Sequence, residues 1–177
     1  MGAIVNAANC AVAAGTGGAW LATKTGGSDG ASDASAVSAT GIAGDFVLRV
    51  KPLGTGLCFA GVSAAPGAGI AEATIDRAFQ IGGGLCRIVE SGSFRPGSFP
   101  LATYAWMRRS GGSLDYLTGP LLATAAVRRT VAVGTGPLFF DSTILAAGLA
   151  IEVKFDLPAA FVARRAARRG LTLGLNL

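Results

Sequence analysis

The chain has 177 residues, 27 of them glycine, with 51% hydrophobic and 14% charged residues, no histidine and a formal net charge of +5. This apolar content excludes a charged disordered chain, and the length indicates one domain with its own core. The absence of histidine excludes Ser-His-Asp and Cys-His catalysis and histidine-ligated metal sites. The last twenty residues hold four arginines and no acid, so the remainder is close to neutral, unlike a nucleic-acid-binding face.

Short apolar runs separated by glycine, proline and serine predict an all-β protein, a sandwich or a barrel. The predicted strands are 46–50, 57–62, 74–81, 85–90, 103–109, 113–117, 121–133, 138–140 and 149–155. Glycines at 82–84 and at 111–112 predict two tight hairpin turns, because glycine supplies the positive φ that such turns need. Residues 25–40 predict a long edge loop ending in a strand of small residues, with a flexible linker as the alternative.

The C-terminal residues 158–177 differ from the rest. Proline at 158 and glycine at 170 delimit a predicted helix, and alternating leucines at 171–177 predict an added strand that needs a partner surface. We therefore divide the chain into a sandwich domain, 1–157, and an extension for assembly, 158–177. The residues expected to make its contacts are Phe161, Arg164, Arg165, Arg168, Arg169, Leu171, Leu173, Leu175 and Leu177.

Cysteine usage and targeting signals give negative expectations. Cys10, Cys58 and Cys86 are odd in number, lie among apolar residues and lack a CxxC spacing, which favours buried free thiols in a reducing compartment. The N-terminus has no basic segment typical of a secretion signal, and no run of eighteen apolar residues predicts a membrane span. We expect no cofactor and no metal.

Several phrases, in order, carry a resemblance to a known fold family. They are Trp20-Leu21-Ala22-Thr23-Lys24-Thr25-Gly26-Gly27, Gly61-Val62-Ser63, Ile88-Val89-Glu90-Ser91-Gly92, Met107-Arg108-Arg109-Ser110-Gly111-Gly112-Ser113-Leu114-Asp115-Tyr116, Leu138-Phe139-Phe140-Asp141-Ser142 and Gly148-Leu149-Ala150-Ile151-Glu152-Val153. Over roughly 5–155 the chain resembles the concanavalin A-like (lectin/glucanase-like) jelly-roll domains of phage tail, fibre and spike proteins. The resemblance implies a β-sandwich of two antiparallel sheets, followed here by the helix/strand extension.

Two departures limit what the resemblance implies. The family hairpin often continues as Y-x-x-N-G, with an exposed asparagine, where this chain has Tyr116-Leu117-Thr118-Gly119. The calcium cluster of legume lectins also needs a histidine that this chain lacks. The scaffold is therefore implied and the lectin metal site is not, since a fold does not transmit a function.

A glycan-cleaving enzyme is an alternative that the acidic residues do not favour. Glycoside hydrolases that resemble this scaffold carry two glutamates at i and i+4 on one strand. The glutamates here are Glu72, Glu90 and Glu152, and no two are close in sequence. We expect no enzymatic activity.

The aromatic residues of strand 103–109 are better candidates for a binding site. The alternation of side chains puts Tyr104, Trp106 and Arg108 on one face, and the resembled hairpin places Met107 in the core, so this face points outward. Outward aromatics stack on sugars or fill protein interfaces; the alternative is packing beneath a loop or a terminal segment. In each of the pairs 108–109 and 128–129, one arginine should point to each face of the sheet. For these side chains, exposure to solvent is the alternative to a functional role.

The expected function is that of a phage-like virion structural protein, a fibre, spike or tail-tip module whose sandwich binds the host surface. Its expected partners are other virion proteins, further copies of itself and a host-surface glycan or another receptor, with no nucleic acid and no membrane insertion. Its expected place is the virion, after synthesis in the bacterial cytoplasm. The main alternative is a capsid decoration protein without a ligand. The residues predicted to be buried are Phe46, Phe79, Ile88, Met107, Leu114, Tyr116 and Val153.

Overall fold

The computed structural model describes residues 4–66, 71–101 and 103–156. These residues form β-strands joined by turns and by three short 3-10 turns at Thr16–Gly18, Glu72–Thr74 and Leu122–Thr124. The strands, numbered in chain order, are β1 Ile4–Ala8, β2 Cys10–Ala14, β3 Trp20–Lys24, β4 Ser35–Ser38, β5 Phe46–Pro52, β6 Cys58–Ser63, β7 Arg77–Gly82, β8 Leu85–Glu90, β9 Ser93–Phe94, β10 Phe99–Pro100, β11 Tyr104–Ser110, β12 Ser113–Gly119, β13 Ala126–Ala132, β14 Phe139–Ile144 and β15 Ala150–Asp156.

The strands form two antiparallel sheets. Sheet I has the order β1-β4-β14-β6-β7-β8-β10, with β9 also pairing with β8, and sheet II has the order β13-β12-β11-β5-β15-β3-β2. Several neighbours in these orders are distant in sequence, such as β4 and β14 in sheet I and β3 and β15 in sheet II, as the repeated crossing of a jelly roll requires. The predicted all-β sandwich is confirmed; the predicted C-terminal helix and strand lie outside the described residues.

All nine predicted strands are present, and two of them begin three or more residues later than predicted. Strand β7 begins at Arg77 and β13 at Ala126, because the preceding residues turn through 3-10 geometry at Glu72–Thr74 and Leu122–Thr124. Three N-terminal strands, β1 to β3, were not predicted. They are rich in alanine, which has low strand propensity. Pairing with β4 and β15, rather than local residue preference, therefore stabilises them as strands.

Both predicted hairpin turns are confirmed. Gly83 and Gly84 have φ of 58° and 75°, and Gly111 and Gly112 have φ of 56° and 85°. Two consecutive positive φ values between paired strands define a type I′ turn, whose backbone twist matches the twist of the strands. The segment after β3 also ends in the predicted small-residue strand, but β4 lies between β1 and β14 rather than at an edge.

The core lies between the sheets and contains all seven residues predicted for it. Each is at most 2% exposed: Phe46, Phe79, Ile88, Met107, Leu114, Tyr116 and Val153. Smaller apolar clusters cover part of each outer face. One is centred on Phe59 and Ile75 over sheet I, and the other on Trp106 and Leu117 over sheet II.

The two arginine pairs behave differently. Arg108 and Arg109 alternate as predicted, the first toward the outside and the second, 1% exposed, toward the core. The prediction for the second pair is wrong. A bulge shifts the register so that Tyr116 pairs with Arg129 while Leu117 pairs with Val127, and an extra residue in a strand interrupts alternation. Both side chains therefore point toward sheet I, where Arg128 lies over the Phe99 ring and Arg129 pairs with Glu90.

Candidate functional site

Trp106 lies on the predicted outer face of sheet II, but it is not exposed. Only 7% of it is accessible, and it packs against Val47 and Leu117 beneath Leu122 and Ala125. Its indole Nε1 donates a hydrogen bond to the carbonyl of Gly119, at 2.9 Å. Trp106 therefore lies on the outer face of the sheet, as expected, and the structure shows the alternative of packing beneath a loop, because the segment after β12 folds back over it.

Tyr104 and Arg108 remain at the surface with partners of their own. The guanidinium of Arg49 lies 4.6 Å and the ammonium of Lys51 5.8 Å from the centre of the Tyr104 ring. Arg108 donates two hydrogen bonds to Asp115, at 2.6 and 3.0 Å. This face therefore offers paired charges and a flanked ring rather than an open aromatic platform.

The residues predicted for assembly, Phe161 through Leu177, lie outside the described residues.

A second candidate lies at the end of the sandwich where β7 begins and β8 and β13 end. A cavity of about 260 Å³ opens there. Its lining residues are Ala64, Asp76, Arg77, Ser91, Val133 and Leu138. Four segments far apart in sequence contribute to this one site.

The polar wall of the cavity consists of Asp76, Arg77 and Ser91. Arg77 donates from one terminal nitrogen to the carbonyl of Asp76, at 2.7 Å, and weakly to the Ser91 hydroxyl, at 3.4 Å. The Asp76 carboxylate accepts from the backbone N–H of Ala64, at 2.8 Å. Ser91 and Gly92 have φ of 47° and 73° between the paired residues Glu90 and Ser93, so the hairpin turn from β8 to β9 fixes the position of Ser91.

An ion cluster that joins the two sheets lies next to this wall. Glu90, the last residue of β8 and 4% exposed, accepts from Arg129 at 2.8 and 3.1 Å and from Arg95 at 2.6 Å. Burial alone would raise the pKa of Glu90, but the two guanidinium groups outweigh it and hold that pKa below its ordinary value. Glu90 therefore stays ionised, which does not suit a general acid.

Asp141, on β14, is a buried acid near the cavity. It is 2% exposed and accepts a hydrogen bond from the Ser63 hydroxyl, at 2.9 Å, and Ser63 in turn accepts from the backbone N–H of Asp76. Desolvation raises the pKa of Asp141 to about 6, and the charge of Asp76 adds to the shift.

The other two glutamates do not join this cluster. Glu72 accepts from the Ser32 hydroxyl, and Glu152 forms an ion pair with Arg49 on the outer face of sheet II, at 2.6 Å. No pair of glutamates on one strand, as in the resembled hydrolases, is formed.

All three cysteines are buried and free, as predicted. Burial raises the pKa of Cys58 to about 12 and that of Cys86 to about 11, so these thiols stay protonated and unreactive at neutral pH.

Within residues 4–66, 71–101 and 103–156, acidic and cysteine side chains form no group of three or more that could hold a metal ion. The same residues contain no helix long and apolar enough to cross a bilayer.

Sequence reasoning did not find the cavity. Consecutive charges at Asp76 and Arg77 before an apolar strand, and a Ser-Gly turn at Ser91, are the only local signals for it. Val133 and Leu138 carry no signal, since only the folded chain brings them to this end.

Comparison with known proteins supports the fold. No protein-family model matches the chain, and no curated protein matches it. It is similar to the TRIM65 PSpry domain, with a TM-score of 0.50, 15% identity and 68% of each chain covered. It is also similar to stonustoxin, with a TM-score of 0.54 and 11% identity over 82% of this chain, which spans only 26% of the toxin chain. A Bacillus licheniformis β-glucanase has a TM-score of 0.49 at 12% identity, covering 88% of this chain and 91% of that one.

These identities show the fold alone. SPRY domains are concanavalin A-like jelly rolls, as the sheet orders above indicate for this chain. The chain is thus a concanavalin A-like jelly-roll β-sandwich.

Proposed function

We propose that this chain is a non-catalytic, lectin-like binding module of a phage-like virion, displayed as part of a fibre, spike or tail tip for attachment to a host-surface glycan. The end cavity is the observation that carries the binding role. The proposal that the chain belongs to a virion depends on the sequence phrases. The proposed partners, other virion proteins and further copies of the chain, depend on the same phrases.

The cavity has the chemistry that a sugar ring needs. Asp76 supplies a carboxylate acceptor for ring hydroxyls, while Arg77 and Ser91 supply donors. Val133 and Leu138 offer aliphatic surface to the apolar side of the ring. Binding pockets for small ligands combine a few converging polar groups with apolar walls in this way. Its volume of about 260 Å³ suits a single sugar residue rather than a long chain.

A matched pair of arginine variants tests this role in the full-length chain. We expect glycan-array binding, quantified by calorimetry, that Arg77→Gln abolishes and Arg87→Gln retains. Arg87 is a suitable control because it belongs to the neighbouring strand but is exposed and lies over the Phe94 ring, at 4.3 Å. Equal loss in both variants, or binding by neither variant nor wild type, would contradict the proposal.

A capsid decoration protein without a ligand is the second candidate. The outer face of sheet II favours it, because Trp106 is covered there and Tyr104 is flanked by Arg49 and Lys51. Two exposed apolar side chains near the β13 edge, Leu121 and Val127, would suit a protein contact. Incorporation into particles without any glycan binding would favour this candidate.

A further inference from the structure

The end of the sandwich that holds the cavity carries more positive than negative side chains. The guanidinium groups there are those of Arg77, Arg95, Arg109 and Arg129. Arg95 and Arg129 both pair with Glu90, whose single negative charge offsets one of the two. The other acids near the cavity are Asp76 and Asp141. Among the residues that the structure describes, neither Arg77 nor Arg109 has an ion-pair partner.

Arg109 lies directly behind the apolar wall of the cavity. It is 1% exposed, and within the described ranges its terminal nitrogens donate to two carbonyls, that of Ile42 at 3.4 Å and that of Gly134 at 2.7 Å, and to no carboxylate. Gly134 follows the lining residue Val133, and Ile42 pairs with the lining residue Leu138. A buried guanidinium without a counter-charge is costly, so a negative charge in the cavity would be favourable.

Arg77 has unused capacity to bind that charge. One of its terminal nitrogens contacts the Asp76 carbonyl and Ser91, while its buried Nε has no hydrogen-bond partner in the described part of the chain. The Nε–H of Arg77 is therefore a donor that a ligand in the cavity could use.

We propose that the cavity selects an acidic sugar, one whose ring carries a carboxylate. The planar carboxylate faces the Arg77 guanidinium and the Ser91 hydroxyl, since a guanidinium fork matches carboxylate geometry. The ring hydroxyls donate to Asp76, so the single carboxylate of the cavity lining contacts the uncharged side of the sugar. This inference rests on the proposed glycan-binding role and narrows it to one class of ligand.

Binding of glucuronate, methyl glucuronate ester and glucose to the wild-type full-length protein separates the two proposals. We expect the free acid to bind at least about tenfold more tightly than the ester and glucose, with an affinity that falls as salt rises. Arg77→Lys, which keeps the charge but loses the fork, should reduce this preference, whereas Arg87→Lys should not.

Two other outcomes would each contradict a different proposal. Equal binding of acid, ester and glucose would overturn the acidic preference while the glycan-binding role stands. Binding of none of the three, together with a silent glycan array, would overturn the binding role and with it this inference. The ligand comparison uses unaltered protein, so it does not depend on whether a variant folds.

Discussion

Replacing Asp141 by asparagine should stabilise the protein at neutral pH and lose this effect in acid. The wild-type carboxyl is 2% exposed, and desolvation raises its pKa from 3.8 to about 6. Between these values the folded state binds a proton that the unfolded state releases. The stability linked to Asp141 is thus fully present below pH 3.8 and is lost as the pH rises through about 6.

The size of the effect follows from the shift. A difference of about two between the pKa of Asp141 in the folded and unfolded states corresponds to about 3 kcal/mol in the free energy of unfolding at neutral pH. Asparagine is neutral at every pH and still accepts from the Ser63 hydroxyl, but its amide adds two donors without an evident acceptor. The expected gain at about pH 7.5 is therefore about 1–3 kcal/mol, falling toward zero or below at about pH 4.

Urea unfolding followed by the fluorescence of Trp20 and Trp106 measures this difference across the pH range. Asp156→Asn is the control, because that carboxylate is 42% exposed beside Lys154 and should show no comparable gain. If Asp141→Asn is less stable than wild type at pH 7.5, or if its advantage grows as the pH falls, the assigned cause of the pKa shift is wrong.

Three further predictions follow from buried and peripheral features. Trp106→Ala should lower the free energy of unfolding by about 3–5 kcal/mol, because the indole is buried, and should leave ligand binding unchanged; weakened attachment at unchanged stability would restore a surface role. Lys24→Met should destabilise the protein by about 1–3 kcal/mol in denaturant titration, since the buried ammonium of Lys24 donates to three carbonyls, of Ser28, Ala31 and Leu145, and to a carboxylate; the matched variant Lys154→Met should change little. Deleting 158–177 should yield a folded, soluble sandwich, by circular dichroism and size-exclusion chromatography, that fails to join its assembly; unfolding or normal incorporation would refute the assembly role of the extension.

Turns and core strands could be predicted from the sequence because their causes are local. The glycine pairs at 83–84 and 111–112 adopt positive φ that few other residues tolerate, so they mark the hairpins. Strands rich in valine and aromatic residues alternate with period two, so Phe79, Met107 and Tyr116 could be assigned to the core from sequence alone.

The N-terminal strands and the candidate site were decided by tertiary structure. Alanine-rich segments such as β2 become strands only because a neighbour pairs with them. The segment after β12 covers Trp106, and no periodicity in the sequence predicts the path of that segment. The bulge that directs both Arg128 and Arg129 toward sheet I depends on the register between β12 and β13. The cavity joins Arg77 to Val133 and Leu138, and contacts between residues so far apart depend on the packing of the two sheets rather than on local residue preferences.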